Sequence, residues 1–129
     1  MNTPKILLVE DEQNLVKALD IVFNKAGFEV TASFDGVDAL DKLKQTNPDI
    51  ILLDVLMPRM NGFIFLEKIK QDKNLKNIPV IIFSNYTTTE YVKKGLSLGA
   101  VDFIGKTSIT LNELINKING HLKNRIERQ

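Results

Sequence analysis

Five short apolar stretches, each followed by an amphipathic segment, set the rhythm of the chain. Ile6 to Val9, Ile50 to Leu53 and Val80 to Phe83 are continuously apolar and rich in Ile, Leu and Val, as strands buried on both faces of a parallel sheet must be. Two other stretches have a single apolar face. Glu29 to Phe34 alternates through Val30, Ala32 and Phe34, and Val101 to Ile104 is interrupted by Asp102, which places both at sheet edges. Between the strands, Leu15, Ala18, Leu19, Val22 and Ala26 form one helical stripe, closed by Gly27 as a C-cap. Val37, Leu40 and Leu43 form a second helix stopped at Asn47-Pro48, and Phe63, Leu66 and Ile69 a third. Thr88 to Leu98 predicts a fourth helix, weakened and expected to be mobile because Gly95 costs about 1 kcal/mol relative to Ala. The last helix opens on the capping-box spacing of Thr110 and Glu113 and carries Leu111, Leu114, Ile115, Ile118 and Leu122 on one face.

Strand and helix thus alternate as a (βα)5 repeat. With the second and fifth strands outermost and right-handed crossovers, the common strand order that fits is 2-1-3-4-5, the flavodoxin-like doubly wound α/β sandwich. Residues 1–129 read as one domain, with its core from about Pro4 to Arg125.

Composition narrows the function more than the fold. The chain is 43% hydrophobic and 26% charged, as ordinary globular domains are. Its net charge of +1 gives no bulk reason to expect direct nucleic-acid binding or attraction to an anionic membrane. The run Ile6 to Val9 is too short for a signal peptide or a membrane span. With no cysteine there is neither a disulfide nor a thiolate metal site, which suits the cytoplasm.

The polar residues that break the apolar pattern fall at one edge of the sheet. Glu10 and Asp11 follow the first strand, Asp54 ends the third, Ser84 ends the fourth and Lys106 follows the fifth. All sit at carboxyl ends of strands, where open α/β sheets build their sites, and the first and third strands flank the switch point. Three carboxylates brought together repel one another and call for a cation; an all-oxygen set favours a hard ion such as Mg²⁺.

With these positions in place, the chain resembles response-regulator receiver domains of two-component systems over about Pro4 to Arg125. The resemblance rests on Val9-Glu10-Asp11, on Asp54-Val55-Leu56-Met57-Pro58 followed by Gly62, on Ser84, and on Gly99-Ala100-Val101-Asp102-Phe103 leading to Lys106. It implies that Asp54 is the phosphoacceptor, that Asp11, Asp54 and the Leu56 carbonyl ligate Mg²⁺, and that Glu10 holds a metal-bound water. Ser84 and Lys106 would bind phosphoryl oxygens, and Ser84 and Phe103 would form the switch. The donor would be the phosphohistidine of a sensor histidine kinase or phosphotransfer protein. The readout would be a changed surface on the fourth helix, fifth strand and fifth helix, presented to a downstream effector protein or domain or to a second copy of the chain. Leu56 and Tyr86 would flank the path of the hydrolytic water. Such a domain is a signalling switch that promotes its own phosphorylation and dephosphorylation, not an enzyme acting on a separate substrate.

Plainer readings exist for each residue. Glu10 and Asp11 could cap a helix, Ser84 and Lys106 could be loop residues, Phe103 could be packing, and His121 reads as a surface residue. Met57 and Met60 read as packing. The constellation argues for function. A dehalogenase-type phosphatase needs a second carboxylate two residues after its aspartyl nucleophile, where this chain has Leu56. A flavin or nucleotide carrier needs a Gly- or Ser/Thr-rich loop where this chain has Glu10-Asp11-Glu12-Gln13. The remaining alternative is a receiver-like interaction module that does not cycle through phosphate. It is raised by Thr107, which stands where the family usually has proline, and by Gly105 before Lys106, which together predict a looser loop.

Overall fold

The apolar runs become strands and the amphipathic segments become the helices that cover them. The computed structural model describes residues 3–128, within which strand and helix alternate five times. In chain order these are β1 (Lys5–Val9), α1 (Gln13–Lys25), β2 (Glu29–Ser33), α2 (Gly36–Thr46) and β3 (Ile50–Leu53). They continue with α3 (Gly62–Gln71), β4 (Val80–Ser84), α4 (Thr89–Ser97), β5 (Asp102–Gly105) and α5 (Leu111–Arg128). The sheet order is β2-β1-β3-β4-β5, with every pairing parallel. This is the flavodoxin-like order expected from the alternation of the runs.

Two apolar layers hold the sandwich together. Leu7, Val9, Ile51, Leu53, Val80 and Ile82 point to the side covered by α2, α3 and α4, where they meet Ala39, Leu43, Phe65 and Leu66. Ile6, Leu8, Ile50, Leu52, Ile81 and Phe83 point to the side covered by α1 and α5, where they meet Leu19, Phe23, Leu114 and Ile118. Side chains alternate across a strand, so the runs Ile6 to Val9 in β1, Ile50 to Leu53 in β3 and Val80 to Phe83 in β4 are apolar on both faces to serve both layers. β2 and β5 are only partly buried, as edges are.

Several predicted faces are shifted. In α1 the buried residues are Val16, Leu19 and Phe23, while Ala18 and Ala26 are exposed. A helix turned to bury Phe23 removes more apolar area from water than one turned to bury two alanines. In α2 the buried set is Gly36, Ala39 and Leu43, and Val37 faces outward. Met60 lies against Gly36, where a Cβ would come within 3.0 Å of it. Phe34 lies past the end of β2 and is exposed, whereas Ser33 is fully buried. On α5, Leu111 is exposed although Leu114 and Ile118 are in the core. The helix ends behave as predicted: Gly27 has φ 95° after α1, Asn47 has φ 45° after α2, and Thr110 and Glu113 exchange reciprocal bonds of 3.1 Å.

Gly95 is a different matter. A Cβ there would come within 2.5 Å of Ile82 Cδ1 and 3.1 Å of the Phe103 ring. It is the buried residue of α4, so its missing side chain permits close packing of α4 on β4 and β5. Close packing thus accounts for the glycine at this position, a requirement that helix propensity does not reveal.

Candidate functional site

Each strand delivers its polar residue to the carboxyl edge of the sheet. The Glu10 N–H continues the ladder to Ser33 O at 2.9 Å, which carries the chain outward and leaves the Glu10 side chain 2% exposed. Asp54 N–H donates to Val9 O at 2.9 Å, so β1 and β3 present Glu10 and Asp54 side by side. Asp11 is exposed at the rim. Among the described residues, Glu10, Asp11 and Asp54 form a cluster whose ligand atoms all lie within 4.8 Å of one another. Gly62 packs directly against the backbone at the end of β3. A Cβ at Gly62 would collide with the Asp54 carbonyl and come within 2.8 Å of Val55 Cα, and its N–H donates to Val55 O at 2.6 Å. Only glycine lets α3 start this close to the end of β3.

Lys106 answers the carboxylates. Its ammonium lies 2.7 Å from Glu10 Oε1, 3.4 Å from Asp54 Oδ2 and 3.8 Å from Glu12 Oε2. Its backbone is fixed by Lys106 N–H to Ser84 O at 3.0 Å, and the turn beyond it by Ser108 N–H to Gly105 O at 3.1 Å. The loop expected to be loose without proline thus has hydrogen bonds of its own, the Ser108 hydroxyl adding one to Gly105 O at 2.9 Å.

Electrostatics follow from the burial. Desolvation pushes the Glu10 carboxyl up to about 7, partly opposed by the hydrogen bond from Lys106. Burial also raises Asp54, against the pull of the Lys106 charge and the 2.8 Å bond from Val55 N–H. Burial works to lower the Lys106 pKa, but its bond to Glu10 and the neighbouring carboxylates outweigh that and hold the ammonium above the ordinary lysine value. One ammonium facing three carboxylates leaves negative charge unbalanced. The all-oxygen donor set fits a hard divalent cation such as Mg²⁺.

Ser84 is fully buried at the end of β4, and its Oγ accepts the Tyr86 N–H at 3.0 Å. Phe103, half-buried on β5, packs against the core layer below α4. The Leu56 side chain is exposed beside Asp54, and Met57 and Met60 pack against the core as expected.

Three connections escaped the sequence pattern. Arg59, with φ 66°, bridges to Asp35 at 2.6 Å and ties the loop after β3 to the start of α2. The buried Ser33 hydroxyl donates to Asp38 Oδ2 at 2.8 Å and closes the corner after β2. His121, expected at the surface, is partly buried with Nε2 3.0 Å from Asp102 Oδ2. Arg59–Asp35 and His121–Asp102 join residues 24 and 19 positions apart, and Ser33–Asp38 spans a corner; none carries a periodic signature, and only the Asp102 that interrupts β5 hinted at a partner.

The sheet order and the acidic edge define a doubly wound α/β domain of the receiver type. The family description "Response regulator receiver domain" matches residues 6–119, and the chain belongs to that family, a signalling module of two-component systems. It is 40% identical over 114 residues to a protein-glutamate methylesterase/protein-glutamine glutaminase of Xanthomonas oryzae pv. oryzae, covering 84% of this chain and 31% of that protein. It is 35% identical over 119 residues to the response regulator ArlR of Staphylococcus aureus, covering 92% of this chain and 52% of that protein. The chain therefore spans about a third to a half of these relatives. Among solved structures it is similar to the Francisella response regulator 1452 receiver domain, with a TM-score of 0.85 at 30% identity over 94% of this chain and 98% of that one. A CheY-like receiver domain protein from Methanospirillum hungatei shares the fold with a TM-score of 0.91 at 22% identity over 99% and 100% of the two chains. No helix among the described residues is long and apolar enough to cross a membrane.

Proposed function

We propose that this receiver is a phosphorylation switch in which Asp54 accepts a phosphoryl group from the phosphohistidine of a sensor histidine kinase or phosphotransfer protein, in a Mg²⁺-dependent reaction in the cytoplasm. The observation that carries the reading is that the buried Asp54 belongs to the acidic cluster and has its carboxylate 3.4 Å from the Lys106 ammonium. Asp11, Asp54 and the Leu56 carbonyl would hold the ion directly, with Glu10 on a bound water. Mg²⁺ in that position supplies charge neutralisation to an incoming phosphoryl group.

The chain's own residues would do the rest. An Asp54 oxygen attacks phosphorus as the bond from phosphorus to the donor imidazole breaks, giving an acyl phosphate and a free histidine. Lys106 would pair with the phosphoryl oxygens. The Ser84 hydroxyl, which accepts from Tyr86 N–H, retains its hydrogen to donate to one of them. That bond would draw the loop after β4 inward, and Phe103 would fill the space that Ser84 vacates. The altered α4, β5 and α5 surface would then be read by an effector protein or domain, or by a second copy of the chain. The domain would promote its own phosphorylation and dephosphorylation without turning over a separate substrate. Lys106 within reach of Asp54 supports this reading over the non-cycling interaction module.

The partner claim is tested by incubating the chain and Mg²⁺ with a phosphotransfer domain labelled on its histidine. Label should pass to the wild type and not to Asp54→Asn. Label retained by the donor against a panel of such domains would contradict it.

A further inference from the structure

At the amino-terminal edge of the sheet, opposite the carboxylates, the C-terminal ends of α3 and α5 and the loop into β4 enclose a groove of about 460 Å³. That volume lies within the range of small-molecule sites, roughly 300–1,000 Å³. Its floor is Pro79 with Val101 at the entry to β5, and its walls carry Lys70, Lys76 and Arg125, with His121 on the same side. Two amide side chains complete the lining, and none of the lining residues is acidic.

The cations differ in how they are engaged: Lys70 meets only carbonyls, Arg125 is paired with Asp49, and Lys76 is exposed. Lys70 Nζ donates to the carbonyls of Lys76 at 2.9 Å and Ile78 at 3.2 Å, and its stem lies against Gly99, where a Cβ would come within 3.1 Å of Cε. An ammonium carries three donors, so one remains. Its partners are carbonyls rather than a carboxylate, and burial lowers its pKa accordingly. Arg125 is docked through Nη1 on Asp49, 2.9 Å from the carbonyl and 3.2 Å from Oδ1. The same Asp49 carboxylate also accepts the Lys5 N–H at 2.8 Å. Arg125 Nε is buried with no partner among the described residues, a state that folded proteins seldom leave unfilled. His121 is already engaged with Asp102. The groove thus offers the donors of Lys70, Lys76 and Arg125 beside the apolar Pro79 and Val101, with no acidic residue in its lining.

We propose that this groove binds a small phosphate-bearing anion, with its phosphoryl oxygens among Lys70, Lys76 and Arg125 and any flat or apolar part on Pro79 and Val101. A small molecule fits better than a peptide because the cations line a single groove of about 460 Å³. A ligand there would touch the entry to β5 and the last turns of α5. It would therefore bias the surface assigned to the switch from the end of the sheet away from Asp54, without needing Asp54 for its own binding.

The test uses two probes, inorganic pyrophosphate and ADP, titrated separately into the isotopically labelled chain without divalent cation and followed by backbone amide shifts. Saturable shifts centred on Lys70, Lys76, Val101 and Arg125 are expected. Lys76→Gln and Arg125→Gln should each weaken binding about tenfold, since each removes a charge-assisted hydrogen bond. Equal affinity for the two probes assigns recognition to phosphate alone, and tighter ADP adds the apolar floor. Lys76 is exposed, so its variant keeps the test valid should Arg125→Gln disturb the fold through Asp49. No saturation by roughly 10 mM, shifts centred on Ser84 and Lys106, or unchanged affinity in Lys76→Gln would overturn the proposal.

Discussion

The Lys106 ammonium sits closer to Glu10, at 2.7 Å, than to Asp54, at 3.4 Å. In this state the lysine chiefly compensates the most buried carboxylate of the cluster, and Asp54 is held by its weaker contact and by Val55 N–H. Lys106→Met should leave Glu10 and Asp54 crowded and unpaired. We expect the metal-free variant to lose roughly 1–3 kcal/mol in a urea titration, less than a broken buried pair usually costs because Glu10 can take up a proton. An unchanged midpoint would show that the contact contributes nothing.

The same burial gives stability a pH dependence. Glu10 is raised to about 7 and Asp54 is raised as well, so the folded state binds more protons than the unfolded chain between the ordinary carboxylate range and neutrality. Stability must then fall as pH rises through that window. Metal-free protein should lose roughly 1–3 kcal/mol between about pH 5 and pH 7.5. Glu10→Gln should flatten the curve, and so should saturating Mg²⁺, which favours the ionised carboxylates. Stability that climbs over this range in the wild type would refute the assignment.

Gly95→Ala separates two views of α4. Poor helix propensity alone predicts a gain in stability, whereas contact with Ile82 and the Phe103 ring predicts overpacking. We expect a loss of about 1–3 kcal/mol together with shifted aromatic resonances of Phe103. A more stable variant with an unmoved Phe103 would restore the propensity argument.

The lifetime of an acyl phosphate at Asp54 should depend on the residue two positions beyond it. Leu56 has no group to orient water, while the Tyr86 ring lies 6.0 Å from that of Tyr91 on α4. Leu56→Asn should therefore speed autodephosphorylation by up to about tenfold, equivalent to ~1.4 kcal/mol in the barrier, and Tyr86→Glu should do less. Equal rates in wild type and both variants would remove shielding as the determinant.

The strand order was legible because continuous apolar runs and half-apolar runs have different places in a parallel sheet. The acidic edge was legible because each polar residue directly follows a run. Helix faces were harder. Two alanines and Phe23 compete for the buried side of α1, and the outcome depends on what β1 and β2 leave open. The meaning of Gly95 was hidden for a related reason, since propensity is local and the Ile82 contact is not. Arg59 with Asp35, His121 with Asp102 and the cations around the groove are brought together by folding alone.

The central claim is that Asp54 is the phosphoacceptor, and intact-mass measurement after incubation with acetyl phosphate tests it most directly. The wild type with Mg²⁺ should gain a single phosphoryl group, and both omission of Mg²⁺ and Asp54→Asn should prevent the gain. The amide cannot form the acyl phosphate, and relief of repulsion in the carboxylate cluster should keep the variant folded. A folded Asp54→Asn protein that is phosphorylated as fully as the wild type would contradict the account.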